Sequence, residues 1–406
     1  MSTLNVDKVD PSTGTDLEIG SSGDTITIPS GATITNSGTA TGFGITAASF
    51  RPNVQPLIIN GDMQVAQRST SETGVTSSGY YTCDRWNWIS GAADTVTITQ
   101  ESLSAADQNT TGFPKALKVD VTTADASVAS GDYAVQRYNF EGQDLQLLNK
   151  GTAAAEATTV SFWVKSTKTG TFIANMYDND NNRLCAQAYT VDTTDTWEKK
   201  VLNFPADTTG ALDNDNARSF FIDLFLMAGS GYTSGTLQTT WATYDATNSA
   251  VGQVNALDST SNNFHITGVQ LEVGTYTSST IPPFQHESYG ANLQRCQRYF
   301  WCPVSASSWG KLATGGFYNV SIADTIMAFP TPMRAAYTLS YSALSDFELN
   351  SNSAAAAATV IVLSNSDCLT SAGVRVTVGS SIAVVGDYGI FQMKDSSARL
   401  KFDAEL

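Results

Sequence analysis

From about Leu57 to Pro282 the chain is a succession of short β-branched and aromatic runs cut by Asn, Asp and Gly clusters, and segments of helical period hardly occur between them. Thr95-Val96-Thr97-Ile98-Thr99 and Ala116-Leu117-Lys118-Val119-Asp120-Val121 alternate apolar and polar residues. Val160 to Lys165, Phe172 to Tyr177, Phe220 to Leu226 and Phe264 to Leu271 are more continuously apolar. Alternation with period two buries one face of a strand, and a continuous run is buried on both. The pattern predicts an all-β chain whose residues 57–286 form an antiparallel jelly-roll β-sandwich.

Residues 1–56 have a different texture. The first fifty contain no Trp or Tyr, and Ser-Gly recurs at Ser22-Gly23, Ser30-Gly31 and Ser37-Gly38 with alternating Thr and Ile between. A ribbon with so few apolar side chains buries too little surface to offset its own chain entropy. Repeats of this kind gain a core by stacking, which points to an intertwined β-ribbon or β-prism made by three copies. The alternative is a flexible low-complexity tail.

One helix stands out at the other end of the sandwich. Ser288 is placed to cap it, and Leu293, Cys296 and Phe300 share a face, so residues 287–300 are predicted to be a connector helix. Residues 301–406 return to strands, at Tyr318 to Ile322, Tyr337 to Ser342, Thr359 to Leu363, Val374 to Val378, Ile382 to Val385 and Ile390 to Met393. Ala354 to Ala358 reads as a loop entering a strand. This count predicts a smaller C-terminal β-sandwich.

Composition narrows the function. With 22 basic against 38 acidic residues, the formal charge is −16, and no Lys/Arg run overrides it, so nucleic acid is not expected as a partner. No apolar stretch is long enough to span a bilayer, and the first residues lack the pattern of a secretory signal, so synthesis in a reducing cytosol is expected. Five scattered cysteines without a CxxC make neither a disulfide framework nor a zinc site. Only 15% of residues are charged, and the hydroxyl and amide side chains that replace them suit neutral polar ligands such as glycans.

Asn60-Gly61-Asp62-Met63-Gln64-Val65-Ala66-Gln67-Arg68, followed by Tyr80-Tyr81-Thr82-Cys83-Asp84-Arg85-Trp86, resembles a motif that opens a domain of phage tail-fibre proteins. Gly268 to Gly274, Pro283 to Tyr289 and Arg295 to Phe300 resemble that domain's closing motif, and the Ser-Gly ribbon is similar to fibres of marine tailed phages. Phe329-Pro330-Thr331-Pro332-Met333-Arg334 is a weaker likeness to fibre tips. The resemblance implies a homotrimeric, virion-borne tail fibre. Its N-terminus would hold an adaptor or nozzle protein of the tail, and its distal β domains would touch a host surface glycan or outer-membrane component.

Among the charged residues of the opening motif, Asp62, Arg68, Asp84 and Arg85 are expected to form ion pairs that pin the first strand, with Trp86 and Trp88 in or beside the core. Tyr177 to Asn182 begins like a calcium loop, but Arg183 stands where the loop needs Gly, so it reads as a hairpin tip, as does Leu212 to Asn216. No cofactor is expected; calcium shared between these loops is the alternative. With two histidines, His265 in a strand and His286 in the closing motif, no triad or His-metal site is foreseen, and no motif selects a carboxylate pair, so the chain is not expected to be an enzyme. Exposed rings beside small polar residues are the candidate binding platform: Trp309, Phe317, Tyr318, Phe347 and Tyr388 at the tip. A glycan-degrading spike and a spacer carrying a separate adhesin are the other readings.

Overall fold

A computed structural model describes residues 55–305, 307–365 and 368–406. The expected N-terminal ribbon lies outside these residues up to position 54.

Thirteen strands build the first domain. They begin with β1 Ser71–Val75, β2 Gly79–Tyr80, β3 Trp86–Ser90, β4 Thr95–Ser102, β5 Lys115–Thr123, β6 Tyr133–Glu141 and β7 Thr158–Ser166. They continue with β8 Gly170–Asp178, β9 Arg183–Val191, β10 Glu198–Phe204, β11 Arg218–Ala228, β12 Ala242–Thr243 and β13 Asn263–Val273. One sheet runs β1-β4-β5-β13-β7-β10 and the other β12-β9-β8-β11-β6-β3-β2. Neighbouring strands are antiparallel, as short turns dictate. The sheets face each other across one core that includes Trp86, Trp88, Val96, Ile98, Phe162, Phe172, Leu224 and Ile266. The alternation read in β4 puts Val96 and Ile98 inward. The continuous run in β11 has the expected second covered face: Phe225 packs outward with Val135, Ile173, Ala186 and Ala250.

Two short helices decorate the sandwich, α1 Ala105–Thr111 and α2 Ser230–Thr233. The first was not foreseen, although its ends are written in the sequence. Ser104 accepts from the Asp107 amide, and Gly112 closes the helix at φ 84°. The connector helix α3, Tyr289–Gln297, starts as expected with Ser288 Oγ accepting from the Ala291 amide.

The second domain comprises β14 Phe300–Trp301, β15 Lys311–Asn319, β16 Ile322–Ala328, β17 Thr338–Tyr341, β18 Phe347–Asn350, β19 Ala355–Asn365, β20 Ser371–Val378, β21 Tyr388–Met393 and β22 Leu400–Asp403. The all-β reading holds, but the C-terminal sandwich is corrected. Six strands close into a barrel, β15-β16-β20-β19-β18-β21, because β21 pairs with both β15 and β18 and leaves no edge open. The strand expected at Tyr318 to Ile322 spans a hairpin turn at Val320 and Ser321, Ile382 to Val385 is loop, and β19 already starts at Ala355.

A three-stranded sheet, β14-β22-β17, joins the barrel to the sandwich. Here the opening motif finds its partners. Arg85, 1% exposed, donates to Glu405 and to the Asn139 carbonyl and lies 3.4 Å from the centre of the Tyr299 ring. Arg68 donates to Asp403 at 2.9 Å and Glu405 at 3.5 Å and stacks at 3.6 Å over Phe300. Across the same seam, buried Glu141 accepts from Arg298 at 2.8 Å and is paired with Arg334 at 3.4 Å. The expected ion pairs therefore exist, but most of their carboxylates come from the far end of the chain. Asp62 instead accepts from Asn292 Nδ2 at 3.1 Å, tying α3 to the motif. Gly61 is fixed by close approach, since a Cβ there would sit 2.1 Å from the Val269 carbonyl oxygen.

Candidate functional site

The outer face of the seven-stranded sheet has three zones along its length. Segment 229–250 covers the apolar zone around Val135, Ile173 and Phe225. Tyr80 and Asn139 bond the Leu406 carbonyl in the polar zone at the opposite end. Between them lies an open cleft of about 260 Å³.

Its floor is made by cross-strand neighbours. Tyr177 on β8 pairs with Phe221 on β11 and stacks on it at 4.8 Å and 19°. Arg137 on β6 lies over Phe221 at 3.7 Å and binds Asp223 through two bonds of 2.7 Å. Tyr244, beyond the sheet edge, meets Tyr177 edge-on at 5.3 Å, and Tyr232 meets Tyr133 at 5.0 Å. Asn175, 3% exposed, also lines the cleft, and its Oδ1 has no hydrogen-bond partner among the described residues.

The electrostatics keep these groups in one state. Burial raises the Tyr244 phenol to about 12 and pushes Tyr177 and Tyr232 up as well, so all three keep their protons near neutral pH. Burial works against the Arg137 charge, but Asp223 outweighs it and raises the guanidinium further. The result is an aromatic wall, hydroxyl donors, a fixed Arg–Asp fork and an amide oxygen with no partner among the described residues. Rings supply apolar faces for sugar C–H groups while polar groups fix orientation.

The loops that resembled calcium sites meet close by, and an internal cation sits between the first of them and the segment 207–210 that leads into the second. The Lys150 ammonium contacts Asp178, Asp207 at 2.9 Å, and the carbonyls of Thr209 and Gly210 at 3.1 and 2.9 Å. The Asp213 amide donates to Asp180 at 2.9 Å. Tyr177 to Asn182 is the β8–β9 hairpin tip, as read. His265 is buried in β13 and held neutral, its pKa lowered to about 3 by burial, with Lys165 and Lys118 adding to the effect.

The tip residues divide. Phe317 and Phe347, 2% and 0% exposed, pack in the barrel core, so they offer no surface to a ligand, contrary to the expectation. Trp309, Tyr318 and Tyr388 are at least half exposed, at 54%, 57% and 50%. Tyr318 and Tyr388 lie on adjacent strands, and Arg375 lies 5.2 Å from the centre of the Tyr318 ring. Trp309 precedes β15, nine residues from Tyr318, or roughly 30 Å along an extended strand, so it cannot share their platform.

The sequence reading missed the cleft altogether. Its residues come from β6, β8, β9, β11 and segment 229–250, and no local motif joins them. The available signal was a set of polar or aromatic residues at outward positions of otherwise apolar strands: Arg137, Asn175, Tyr177 and Asp223.

No family model and no curated protein matches the chain. Among solved structures, it is similar to the family 11 carbohydrate-binding module from Clostridium thermocellum, solved in complex with a β-1,3-1,4-mixed-linked tetrasaccharide. The identity is 12% over 54% of this chain and 99% of that one, with a TM-score of 0.26. It is also similar to the enzymatically active domain of bacteriophage CBA120 tailspike protein 4, at 12% identity and a TM-score of 0.27. That match spans 54% of this chain and 21% of the tailspike domain. Scores of this size leave any functional reading to rest on the site itself.

Proposed function

We propose that the chain is a saccharide-binding protein of a phage tail fibre, with the cleft on the seven-stranded sheet as its sugar site. The observation that carries the binding assignment is the Tyr177–Phe221 stack beside the Arg137–Asp223 fork, with the Asn175 oxygen, unpaired among the described residues, on the same cleft. The placement in a fibre rests on the opening and closing motifs, and three copies would join through the N-terminal ribbon. Trp309, Tyr318 and Tyr388 are further contacts for a host surface. Several weak sites on one particle give capture that is stable and still reversible.

Binding without cleavage is favoured by the carboxylate inventory. Asp223 is the one carboxylate lining the cleft among the described residues, and Arg137 holds both its oxygens. Glycoside hydrolysis ordinarily needs two carboxylates at ~5–10 Å. The test is affinity electrophoresis of the full chain in gels containing host surface polysaccharide, alongside Tyr177→Ala. Retardation that the substitution weakens at least tenfold is expected, with polymer length unchanged. Shortened polymer would establish the degrading spike, and no retardation the spacer.

A further inference from the structure

A second groove, of about 290 Å³, opens on the outer face of the other sheet, between strands β7, β10 and β13 and the segments Thr111–Phe113 and Pro283–His286. Ser161 on β7 stands opposite Gln270 on β13, both line the groove, and they are 0% and 6% exposed. Gln270 Nε2 donates to the Pro282 carbonyl at 3.0 Å, which fixes the amide, yet Gln270 Oε1 and Ser161 Oγ have no partner among the described residues. Buried polar atoms left unmatched in this way are open to an outside partner, water or ligand.

The walls specify its chemistry. Trp163, half-buried, is the strand partner of Lys199, lines the groove and packs against the small apolar cluster of Leu103, Ala116 and Trp197, which braces it. Phe284 and His286 form the opposite wall, braced edge-on against each other at 5.0 Å and with Phe284 against Phe113 at 4.8 Å. Phe113 in turn lies against Gly268, where φ is +60° and a Cβ would come within 2.3 Å of the ring. Lys199 is exposed at the rim, and no carboxylate lines the groove among the described residues. Partial desolvation lowers its pKa.

We infer that this groove binds a carboxylate-bearing sugar residue of the hexuronate class. The ring would pack on Trp163 and Phe284, its hydroxyls would satisfy Ser161 and Gln270, and its carboxylate would pair with Lys199. A charge-assisted bond to an exposed ammonium supplies affinity and discrimination rather than the whole binding energy. The inference is independent of the first cleft, which offers Arg137 only as a partner already committed to Asp223.

The test is calorimetric titration of the full chain with trigalacturonate and with its fully methyl-esterified form. The acid is expected to bind about tenfold more tightly than the ester, as one charge-assisted bond allows. Lys199→Met should remove that difference by weakening the acid alone, and Lys311→Met, a charge-matched control on the barrel, should leave both affinities unchanged. Trp163→Ala should weaken acid and ester together. Equal affinity of acid and ester, no effect of Lys199→Met, or no binding of either probe would overturn the assignment. Because Lys199 is exposed, its variant tests the idea even if Trp163→Ala misfolds. Failure here would leave the polysaccharide test of the first cleft intact.

Discussion

Glu405→Ala is the substitution that bears hardest on how the two domains are joined. The Glu405 side chain is 4% exposed and contacts both Arg85 and Arg68, whose side chains are 1% and 7% exposed. Removing one partner of a buried pair costs about 3–5 kcal/mol, because the other charge stays desolvated. Arg68 keeps Asp403, and Arg85 keeps the Asn139 carbonyl and the Tyr299 ring, so the lower end, about 3 kcal/mol, applies here. The assay is urea unfolding of the full chain followed by tryptophan fluorescence, with limited proteolysis reporting separation of the barrel. Glu405→Ala should move the transition in which the domains part, and Arg85→Met in the same chain should recover most of the loss. A cost below about 1 kcal/mol, or a double variant as unstable as the sum of the singles, would refute the clamp.

Other outcomes follow from the same geometry. His265 is neutral in the fold with its pKa near 3 against an ordinary 6.5, so its stabilising effect is full above pH 6.5 and is lost as pH falls towards 3. Asp84 acts in the opposite sense: burial raises it to about 6, and the cost of its charge disappears as pH falls from 6 towards 4. Between pH 7 and 4.5, His265→Leu should therefore gain roughly 2–3 kcal/mol relative to the parent, measured by urea midpoints at both pH values. Lys150→Met leaves the buried Asp178 without its cation, while Asp207 keeps Arg183 at 2.8 Å, so it should cost about 3 kcal/mol, read from urea curves. Gly61→Ala should cost roughly 3 kcal/mol, read from the same urea curves, because the backbone of Val269 occupies the place of the new methyl.

The strands were legible because their period reports which face is buried, and β4, β5, β7, β8, β11 and β13 all lie where that period put them. The same rule could have sorted the tip aromatics. Phe317 shares its inward parity with Ala313 on β15 and Phe347 with Leu349 on β18, whereas Tyr318 falls on the outward parity. Barrel closure was not legible, since it depends on β21 pairing with strands on both sides rather than on any local pattern. Arg68 pairs with Asp84 of its own motif at 3.8 Å, but its hydrogen-bonded partners lie 335 and 337 residues away, beyond the reach of motif spacing. The cleft was hidden for a similar reason: residues that look like interruptions in separate apolar strands become neighbours only when β6, β11 and β8 align.

The most direct measurement is a crystal structure of the full chain with an oligosaccharide fragment of the surface polysaccharide that retards it. The sugar should lie against Tyr177 and Tyr244, with a hydroxyl donating to Asn175 Oδ1 and others bound by the Arg137–Asp223 fork. A fragment bound at Tyr318 and Tyr388 while the cleft stays empty would contradict the assignment.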